Sequence, residues 1–306
     1  MKYRVLGRTG LRASVVGVGT WQFGGEWGKA FTPDEVRLVL NRATELGINL
    51  IDTAECYGDH LSESLIGAAI EGRRDRWIIA TKFGHKFHGH MNRTIHVAPG
   101  EVQRQLEDSL RALRTDHVDI YQMHSAADAA FDQPALWELL QRMKEAGKVR
   151  FLGNSISSND NLHQTRRSGL VGVDVIQVVY NRLDRVPENR VFPSCIEQNL
   201  GVLARVPLAS GYLSGKYAPG AKFAADDVRS GHDTEKTARR LEEVATIARE
   251  EVPAGVNMAQ WALAWCLQHP AVTCVIPGCK DVSQVESNAA AADLPMVGDD
   301  HPQAVR

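Results

Sequence analysis

The stretch Ile48-Asn49-Leu50-Ile51-Asp52-Thr53-Ala54-Glu55-Cys56-Tyr57-Gly58 joins an apolar run to a loop that carries titratable side chains. The run from Ile48 to Ile51 is short and rich in isoleucine and leucine, which is typical of a buried strand. Asp52 ends that strand, and Tyr57 follows in a loop bounded by Gly58. The pattern predicts a carboxylate and a phenol at one mouth of a sheet.

Two later apolar runs end in the same way. The run at 77–81 ends in Lys82, and the run at 118–123 ends in His124. Because the carboxyl ends of parallel strands meet at one edge of a sheet, we expect both side chains to lie near the carboxylate and the phenol.

Short apolar runs alternate with helical patterns along most of the chain. A first core strand is expected to end at the turn Gly17-Val18-Gly19-Thr20-Trp21, and later strands are expected at 149–153, 173–180, 201–204 and 272–276. Helices are expected between the Thr32 capping box and Gly47, and at 62–70, 99–113, 134–146, 159–168, 193–199, 234–250, 257–269 and 283–292. Steady alternation implies a parallel sheet, and eight such units can close into a barrel.

An open doubly wound sheet has the same alternation, since spacing alone does not show closure. Its fingerprint Gly-x-Gly-x-x-Gly is missing, because Gly17 and Gly19 are followed by Gln22 where the third glycine belongs. We therefore predict an α/β fold, a (β/α)8 TIM barrel with an N-terminal β-hairpin, as a single domain over residues 1–306. The polar, glycine-rich break at roughly 213–233 is expected to be a mobile loop over the active face.

Composition narrows the class of protein. The 306 residues are 43% hydrophobic and 24% charged, as in an ordinary soluble globular protein, and the formal net charge of −2 favours neither nucleic acid nor a membrane surface. The sequence shows no apolar run of about 18 residues and no signal-peptide pattern. Its five cysteines are scattered without metal-type spacing. We expect a cytoplasmic protein with reduced thiols.

The four titratable groups suit proton delivery to an oxygen that becomes negative. A tyrosine hydroxyl titrates near pH ~10, and a nearby ammonium is expected to lower its pKa by favouring the phenolate. A carboxylate can hold the ammonium in place, and a neutral imidazole can polarise a carbonyl. The group lacks a strong nucleophile and an obvious metal set. The simplest source of reducing electrons is therefore a bound nicotinamide.

Several motifs, in order from about residue 2 to 290, resemble the signature of the aldo-keto reductases. They are Leu6-Gly7-Arg8-Thr9-Gly10-Leu11, Gly17-x-Gly19-Thr20-Trp21, Asp52-Thr53-Ala54-x-x-Tyr57-Gly58, Thr81-Lys82, Asp119-x-Tyr121-Gln122-x-His124, Gln177-x-x-Tyr180-Asn181 and Ile276-Pro277-Gly278. The resemblance implies an (α/β)8 barrel that reduces aldehydes and ketones to alcohols with NADPH, sometimes with NADH. The partner would be a small carbonyl substrate, which could be a sugar-like compound.

The resemblance also assigns roles to residues. Tyr57 would be the general acid, tuned by Lys82 and Asp52, and His124 would orient the substrate carbonyl. Cofactor contacts would come from Gly19, Thr20, Trp21, Asp52, Ser155, Gln177, Arg205, Pro207, Leu208, Ser210, Gly211, Leu213, Gly215, Lys216, Gly278, Lys280, Gln284 and Asn288. Arg205 departs from the pattern, because an aromatic residue commonly stacks on the nicotinamide there.

Other interpretations compete with this one. A Schiff-base lyase could use Lys82 as its nucleophile. A regulatory subunit could bind a nicotinamide with little turnover. The sequence His85-Lys86-Phe87-His88-Gly89-His90 invites a metal site, but we expect a solvated loop there and an inert buried thiol at Cys56.

Overall fold

Parallel strands form the centre of the protein, whose residues 1–305 the computed structural model describes. In chain order the strands are β1 (Tyr3–Val5), β2 (Arg12–Ser14), β3 (Val18–Gly19), β4 (Leu50–Asp52), β5 (Ile78–Phe83), β6 (His85–Gly89), β7 (Asn92–Ile95), β8 (Val118–His124), β9 (Val149–Ser155), β10 (Val173–Val179), β11 (Gly201–Arg205) and β12 (Cys274–Val275). Eight of them pair in the order β3-β4-β5-β8-β9-β10-β11-β12. Isolated parallel bridges from Val16 to Val275 and from Gly19 to Gly278 join the two ends of this order. The curled sheet is consistent with the predicted (β/α)8 architecture.

Helices separate most of the parallel strands, as the alternation predicts. They are α1 (Pro33–Glu45), α2 (Leu61–Ala69), α3 (Pro99–Leu113), α4 (Asp128–Phe131), α5 (Pro134–Glu145), α6 (Leu162–Arg167), α7 (Val191–Glu197), α8 (Thr234–Glu250), α9 (Met258–Leu267) and α10 (Val282–Ala290). Among residues 1–305, no helix combines the length and the apolar character that crossing a bilayer requires.

Local sequence signals fix the ends of α1. The Thr32 hydroxyl accepts a hydrogen bond from the Glu35 backbone N–H, and the Glu35 carboxylate accepts one from the Thr32 backbone N–H. This reciprocal pair is the capping box that the sequence predicts. At the other end, Gly47 has a φ of 80°, a left-handed conformation that glycine adopts without steric cost.

Apolar side chains form two layers around the sheet. One cluster lies inside the curled sheet and includes Leu50, Ala80, Ile120, Val175 and Leu203, one from each of five strands. Leu6 and Ala13 from the N-terminal segment join this cluster, so the β1–β2 hairpin closes one end of it. The larger cluster packs the outer face of the sheet against the helices.

The close approach of the hairpin turn to the sheet depends on Gly7. Its φ is 51°, and a Cβ atom there would lie 2.2 Å from the Gly201 backbone nitrogen. Glycine at this position therefore lets the turn between β1 and β2 sit against the start of β11.

Two predicted loops contain regular structure. Residues 85–95 form the antiparallel β6–β7 hairpin, where the histidine-rich sequence had predicted a solvated loop. The break at 213–233 ends in a 3-10 helix at Val228–Gly231, which begins at an Asp227 side-chain cap. Sequence reasoning missed the hairpin because its alternation is polar on both faces and carries little apolar pattern.

Candidate active site

A buried ion pair lies at the carboxyl ends of β4 and β5. The Lys82 ammonium donates hydrogen bonds to Asp52 Oδ2 at 2.8 Å, to the Thr53 carbonyl at 2.7 Å and to the Tyr57 hydroxyl at 3.3 Å. Its side chain is fully buried, and that of Asp52 is nearly so. The structure thus brings the phenol, the ammonium and the carboxylate together, as the strand ends predict.

Burial changes the acidity of Tyr57 and Lys82, an effect that the sequence reasoning did not include. Loss of solvent raises the pKa of Tyr57 to about 12, although Lys82 pulls it down. The ammonium lowers the pKa as expected, but desolvation of the phenolate outweighs it, so the net shift is upward. Burial opposes the charge on Lys82, yet Asp52 and Tyr57 raise the pKa of Lys82 above its ordinary value. Near neutrality the phenol is therefore protonated and the ammonium charged.

Two glutamine side chains complete the environment of Asp52. Its Oδ1 accepts hydrogen bonds from Gln177 Nε2 at 2.6 Å and from Gln122 Nε2 at 3.2 Å. The carboxylate is therefore hydrogen-bonded through both oxygens, which holds it in position against Lys82. Gln122 was absent from the predicted site residues, although it lies inside the quoted Asp119-to-His124 motif.

His124 lies beside Tyr57 in a cluster of titratable side chains. The two rings meet edge to face, with centroids 6.1 Å apart. Nδ1 of His124 lies 3.1 Å from Nδ1 of His85 and 3.6 Å from the Cys56 sulfur. Burial is the main cause that lowers the pKa of His124 well below its usual range and the pKa of His85 to about 4. Both imidazoles are thus neutral near pH 7.

The prediction of a solvated histidine loop is wrong for His85. Its ring is partly buried against His124 and Cys56, whereas His88 and His90 are exposed. The difference arises because His85 is the first residue of β6 and lies only three residues after the buried Lys82 in β5, whereas His88 and His90 lie farther along the hairpin.

A cavity of about 540 Å³ opens above the ion pair and contains most of the predicted site. Asp52, Tyr57 and His124 line it. The predicted cofactor residues that line it are Gly19, Thr20, Trp21, Gln177, Arg205, Pro207, Leu208, Ser210, Gly211, Lys216, Gly278, Lys280, Gln284 and Asn288. Lys82 lies behind this wall, and Ser155, Leu213 and Gly215 are not among the lining residues, so their cofactor contacts stay predictions.

The loop after β3 and the β6–β7 hairpin close over one side of the cavity. Glu26 accepts hydrogen bonds from Trp21 Nε1 at 2.5 Å and from the Met91 backbone N–H at 3.0 Å, and it pairs with Arg93. These contacts tie the loop after β3 to the β6–β7 hairpin. The Trp21 ring in turn stacks on Tyr57 with centroids 6.0 Å apart.

The other side of the cavity is held by Lys280 and by the segment around the 3-10 helix at Val228–Gly231. Lys280 donates to the Trp27 carbonyl at 2.5 Å, and an isolated bridge joins Trp27 to Asp227. Asp227 forms a buried ion pair with Arg229 at 2.6 Å. Sequence reasoning missed Glu26, Arg93 and Arg229 because their partners are distant in the chain and carry no shared spacing.

Several buried polar atoms at this face have no hydrogen-bond partner within residues 1–305. They include Ser155 Oγ, Asn154 Oδ1 and Arg205 Nε, which belong to the ends of β9 and β11. Burial without a partner costs free energy, so such atoms commonly mark positions where a ligand supplies the missing bond. Burial also lowers the pKa of Arg205, against the opposing influence of Tyr57 and Asp52.

The sequence and the fold were compared with those of known proteins. A family model described as "Aldo/keto reductase family" matches residues 15–305. The aldo-keto reductase AKR11C1 from Bacillus halodurans, in its holo form, is 29% identical, with 99% of this chain and 94% of that chain covered at a TM-score of 0.81. An aldo-keto reductase from Klebsiella pneumoniae in complex with NADPH is 27% identical, with 96% and 90% covered at a TM-score of 0.73.

A curated protein is similar in sequence to this chain over almost the same length. The NADH-specific methylglyoxal reductase of Escherichia coli is 29% identical over 315 residues, which cover 96% of this chain and 94% of that protein. Because the family model spans nearly all of the sequence, including every residue of the buried ion pair and the cavity, the chain belongs to the aldo/keto reductase family of oxidoreductases.

Proposed function

We propose that this protein is an NADPH-dependent oxidoreductase that reduces an aldehyde or ketone to an alcohol, with Tyr57 as the general acid. The observation that carries the proposal is the Lys82 ammonium, which bridges Asp52 Oδ2 at 2.8 Å and the Tyr57 hydroxyl at 3.3 Å beneath the cavity. A phenol with a pKa of about 12 is protonated at neutral pH, so it can give a proton to an oxygen as that oxygen becomes negative.

Each member of the buried group has a distinct task in this reaction. A reduced nicotinamide, when bound, supplies the hydride. The Tyr57 hydroxyl gives its proton to the substrate oxygen, and the Lys82 ammonium stabilises the phenolate that remains. Asp52 keeps Lys82 charged and in position, while Gln122 and Gln177 hold Asp52. The neutral His124 imidazole orients the substrate carbonyl by a hydrogen bond.

The cavity supports a nicotinamide cofactor. The unpaired Ser155 Oγ and the neighbouring Gln177 suit the carboxamide of a nicotinamide, which both donates and accepts hydrogen bonds. At the other end, Lys216 and Lys280 line the cavity with Gln284 and Asn288, which suits a phosphate-bearing nucleotide. Because Lys280 is the single cation predicted to face the 2′-phosphate, NADH is the second candidate.

The names of the similar proteins are compatible with both cofactors. The Klebsiella pneumoniae protein is described in complex with NADPH, and the Escherichia coli protein is described as NADH-specific. We infer that the two cofactors bind this chain in the same cavity and differ at the adenosine end.

We also propose that the curled sheet is a closed (β/α)8 barrel and that one domain comprises the whole chain.

The substrate end of the cavity favours a small polar carbonyl compound. Trp21 and Trp27 supply aromatic surface, while His85 and Arg93 supply polar groups beside Tyr57. Aromatic and hydrogen-bonding groups together are suited to hydroxylated substrates such as sugars. We therefore infer an aldehyde or ketone of that class.

The test is an absorbance assay at the nicotinamide band with aldehydes, ketones and sugars and with both cofactors. The wild type is expected to oxidise NADPH with at least one carbonyl compound, whereas Tyr57→Phe loses this activity and still quenches NADPH fluorescence on binding. Equal rates in the two proteins would contradict the role of Tyr57.

The same assay distinguishes the two competing functions. A regulatory subunit would bind NADPH tightly with negligible turnover over the whole panel. A Schiff-base lyase would form an adduct on Lys82 that borohydride traps without a nicotinamide. The contacts of the Lys82 ammonium with three oxygens, and its raised pKa, disfavour the neutral amine that a lyase needs.

A further inference from the structure

Four side chains with metal-binding atoms converge at the substrate end of the cavity. They are Glu55, Cys56, His85 and His124, and one ligand atom from each lies within 4.8 Å of all the others. These residues have no metal-type spacing along the chain, because they come from the loop after β4, the start of β6 and the end of β8. Only the fold brings them together.

The distances within this cluster match those of a tetrahedral site. The two Nδ1 atoms are 3.1 Å apart, and the Cys56 sulfur lies 3.8 Å from Nδ1 of His85 and 3.6 Å from Nδ1 of His124. A zinc ion about 2.0–2.1 Å from each nitrogen and about 2.3 Å from sulfur would separate its tetrahedral ligands by ~3.3 Å (nitrogen to nitrogen) and ~3.6 Å (nitrogen to sulfur).

Glu55 supplies an independent observation that points to a cation ligand. The residue is 3% exposed, and its Oε1 accepts a hydrogen bond from the His85 backbone N–H at 2.9 Å. Oε2 is buried and has no partner within the described part of the chain. A buried carboxylate that is only half satisfied is costly, and a bound cation would offset that cost.

Nearby cations do not exclude a positive ion. Arg93 and Lys82 both lie close to the cluster, but Arg93 pairs with Glu26 and Lys82 pairs with Asp52. The carboxylates of Glu26 and Asp52 match these two charges and leave Glu55 without an ion pair, while Arg205, which also acts on His124, has no carboxylate partner within residues 1–305. Imidazole and thiolate together select zinc-like ions over calcium or magnesium.

We propose that Cys56, His85 and His124, with Glu55, form a site for one thiophilic divalent cation of the zinc class. On binding, the Cys56 thiol releases its proton to solvent, its sulfur and the two Nδ1 atoms donate electron pairs to the ion, and no electron is transferred. The consequence for turnover rests on the proposed function. Because the ion engages the histidine that orients the carbonyl, filling the site blocks carbonyl reduction.

The direct test uses cobalt(II) as a spectroscopic probe of the purified full-length protein. The wild type is expected to develop a thiolate-to-cobalt charge-transfer absorption that saturates at one ion per chain and that zinc displaces. Cys56→Ala should lose this absorption, and His85→Ala should bind cobalt at least tenfold more weakly. Matched controls are Cys195→Ala, another buried free thiol, and His88→Ala on the same hairpin, which should both retain the signal.

Three results would overturn the proposal. They are a wild type without the charge-transfer band, a band of equal strength in Cys56→Ala, and a wild type whose turnover is unaffected when cobalt or zinc saturates the band.

Circular dichroism of each variant checks its folding, and Cys56→Ser offers a second substitution if Cys56→Ala does not fold. Cobalt binding needs no turnover, so it can succeed where the proposed reductase activity fails, and an active enzyme that binds no cobalt refutes only the metal site.

Discussion

The two sides of the cavity are built in different ways. The strand-end network of Asp52, Tyr57, Lys82, Gln122 and Gln177 is buried and hydrogen-bonded, and its side chains come from parallel strands and the loop after β4. The loop wall of Glu26, Trp27, Arg93, Asp227, Arg229 and Lys280 comes from loops and a polar hairpin.

We expect the strand-end network to carry out the proton transfer and the loop wall to control entry to the cavity. Charges in the strand-end network are fixed by neighbours that cannot move without disturbing the sheet, so their electrostatic influence is preorganised. Contacts in the loop wall join segments that are distant in sequence and can open locally. We therefore expect changes in the strand-end network to affect stability and rate together, and changes in the loop wall to affect binding.

The largest effect is expected from Lys82→Met. Removing one partner of a buried ion pair leaves Asp52 uncompensated, and the free energy of unfolding should fall by about 3–5 kcal/mol. Carbonyl reduction should be lost as well. Chemical denaturation and the nicotinamide assay measure the two effects.

The double variant Asp52→Asn with Lys82→Met provides the control. Because it removes both charges, it should recover most of the lost stability and none of the activity. A double variant as unstable as the single one would show that the ion pair does not account for the cost.

A smaller effect is expected from Glu26→Gln in the loop wall. The change weakens hydrogen bonds to Arg93, Trp21 and the hairpin, and charged hydrogen bonds of this kind contribute about 1.5–3 kcal/mol. We expect KM for the carbonyl substrate to rise roughly tenfold, with a smaller loss of stability than in Lys82→Met. Glu45→Gln removes an exposed ion pair on α1 and is the matched control. A Glu26→Gln protein with a lower kcat and an unchanged KM would place Glu26 with the strand-end network.

Lys280→Ala should affect one cofactor more than the other. Loss of its ammonium is expected to weaken NADPH several-fold while NADH binding changes little, because only NADPH carries the 2′-phosphate. Fluorescence titration with each cofactor measures this, and Lys29→Ala is the neighbouring control, since Lys29 contacts the Lys280 carbonyl. Equal weakening of both cofactors would remove Lys280 from the phosphate site.

The smallest effect is expected in how the free energy of unfolding depends on pH, through the His60–Glu63 pair. His60 Nδ1 lies 2.5 Å from Oε2 of the buried Glu63, and although burial opposes the charge, Glu63 raises the pKa of His60. A raised folded-state pKa gives stability that is present below the unfolded value of about 6.5 and is lost as the pH rises through the folded value. Urea midpoints at about pH 6 and pH 8 should differ more in the wild type than in His60→Gln. Identical differences would exclude this pair as a source of the pH dependence.

Sequence alone predicted the strand-end network well. Asp52 and Lys82 lie at the ends of short apolar strands, and the carboxyl ends of parallel strands share one edge, so these two charges were expected to meet, with His124 beside them. The fold class and most helices followed from the same alternation. The direction of the Tyr57 pKa shift could not be predicted, because it depends on how completely the phenol is desolvated.

The loop wall could not be predicted in the same way. The Glu26–Arg93 and Lys280–Trp27 contacts join residues far apart in the chain, and no periodicity links them. The position of His85 depends on the β6–β7 hairpin, whose polar sequence resembles a solvated loop. Such contacts are set by how loops pack, which one sequence does not encode as a pattern.

The most direct test of the central claim is the single-turnover rate of NADPH oxidation by a carbonyl substrate as a function of pH, in the wild type and in Tyr57→Phe. With a phenol whose pKa is raised to about 12, the wild-type rate should be level around neutrality and fall only at alkaline pH. Tyr57→Phe should be slower by on the order of 10²–10⁴ and lack the alkaline fall. Equal rates with the same pH profile in both proteins would contradict the claim that Tyr57 delivers the proton.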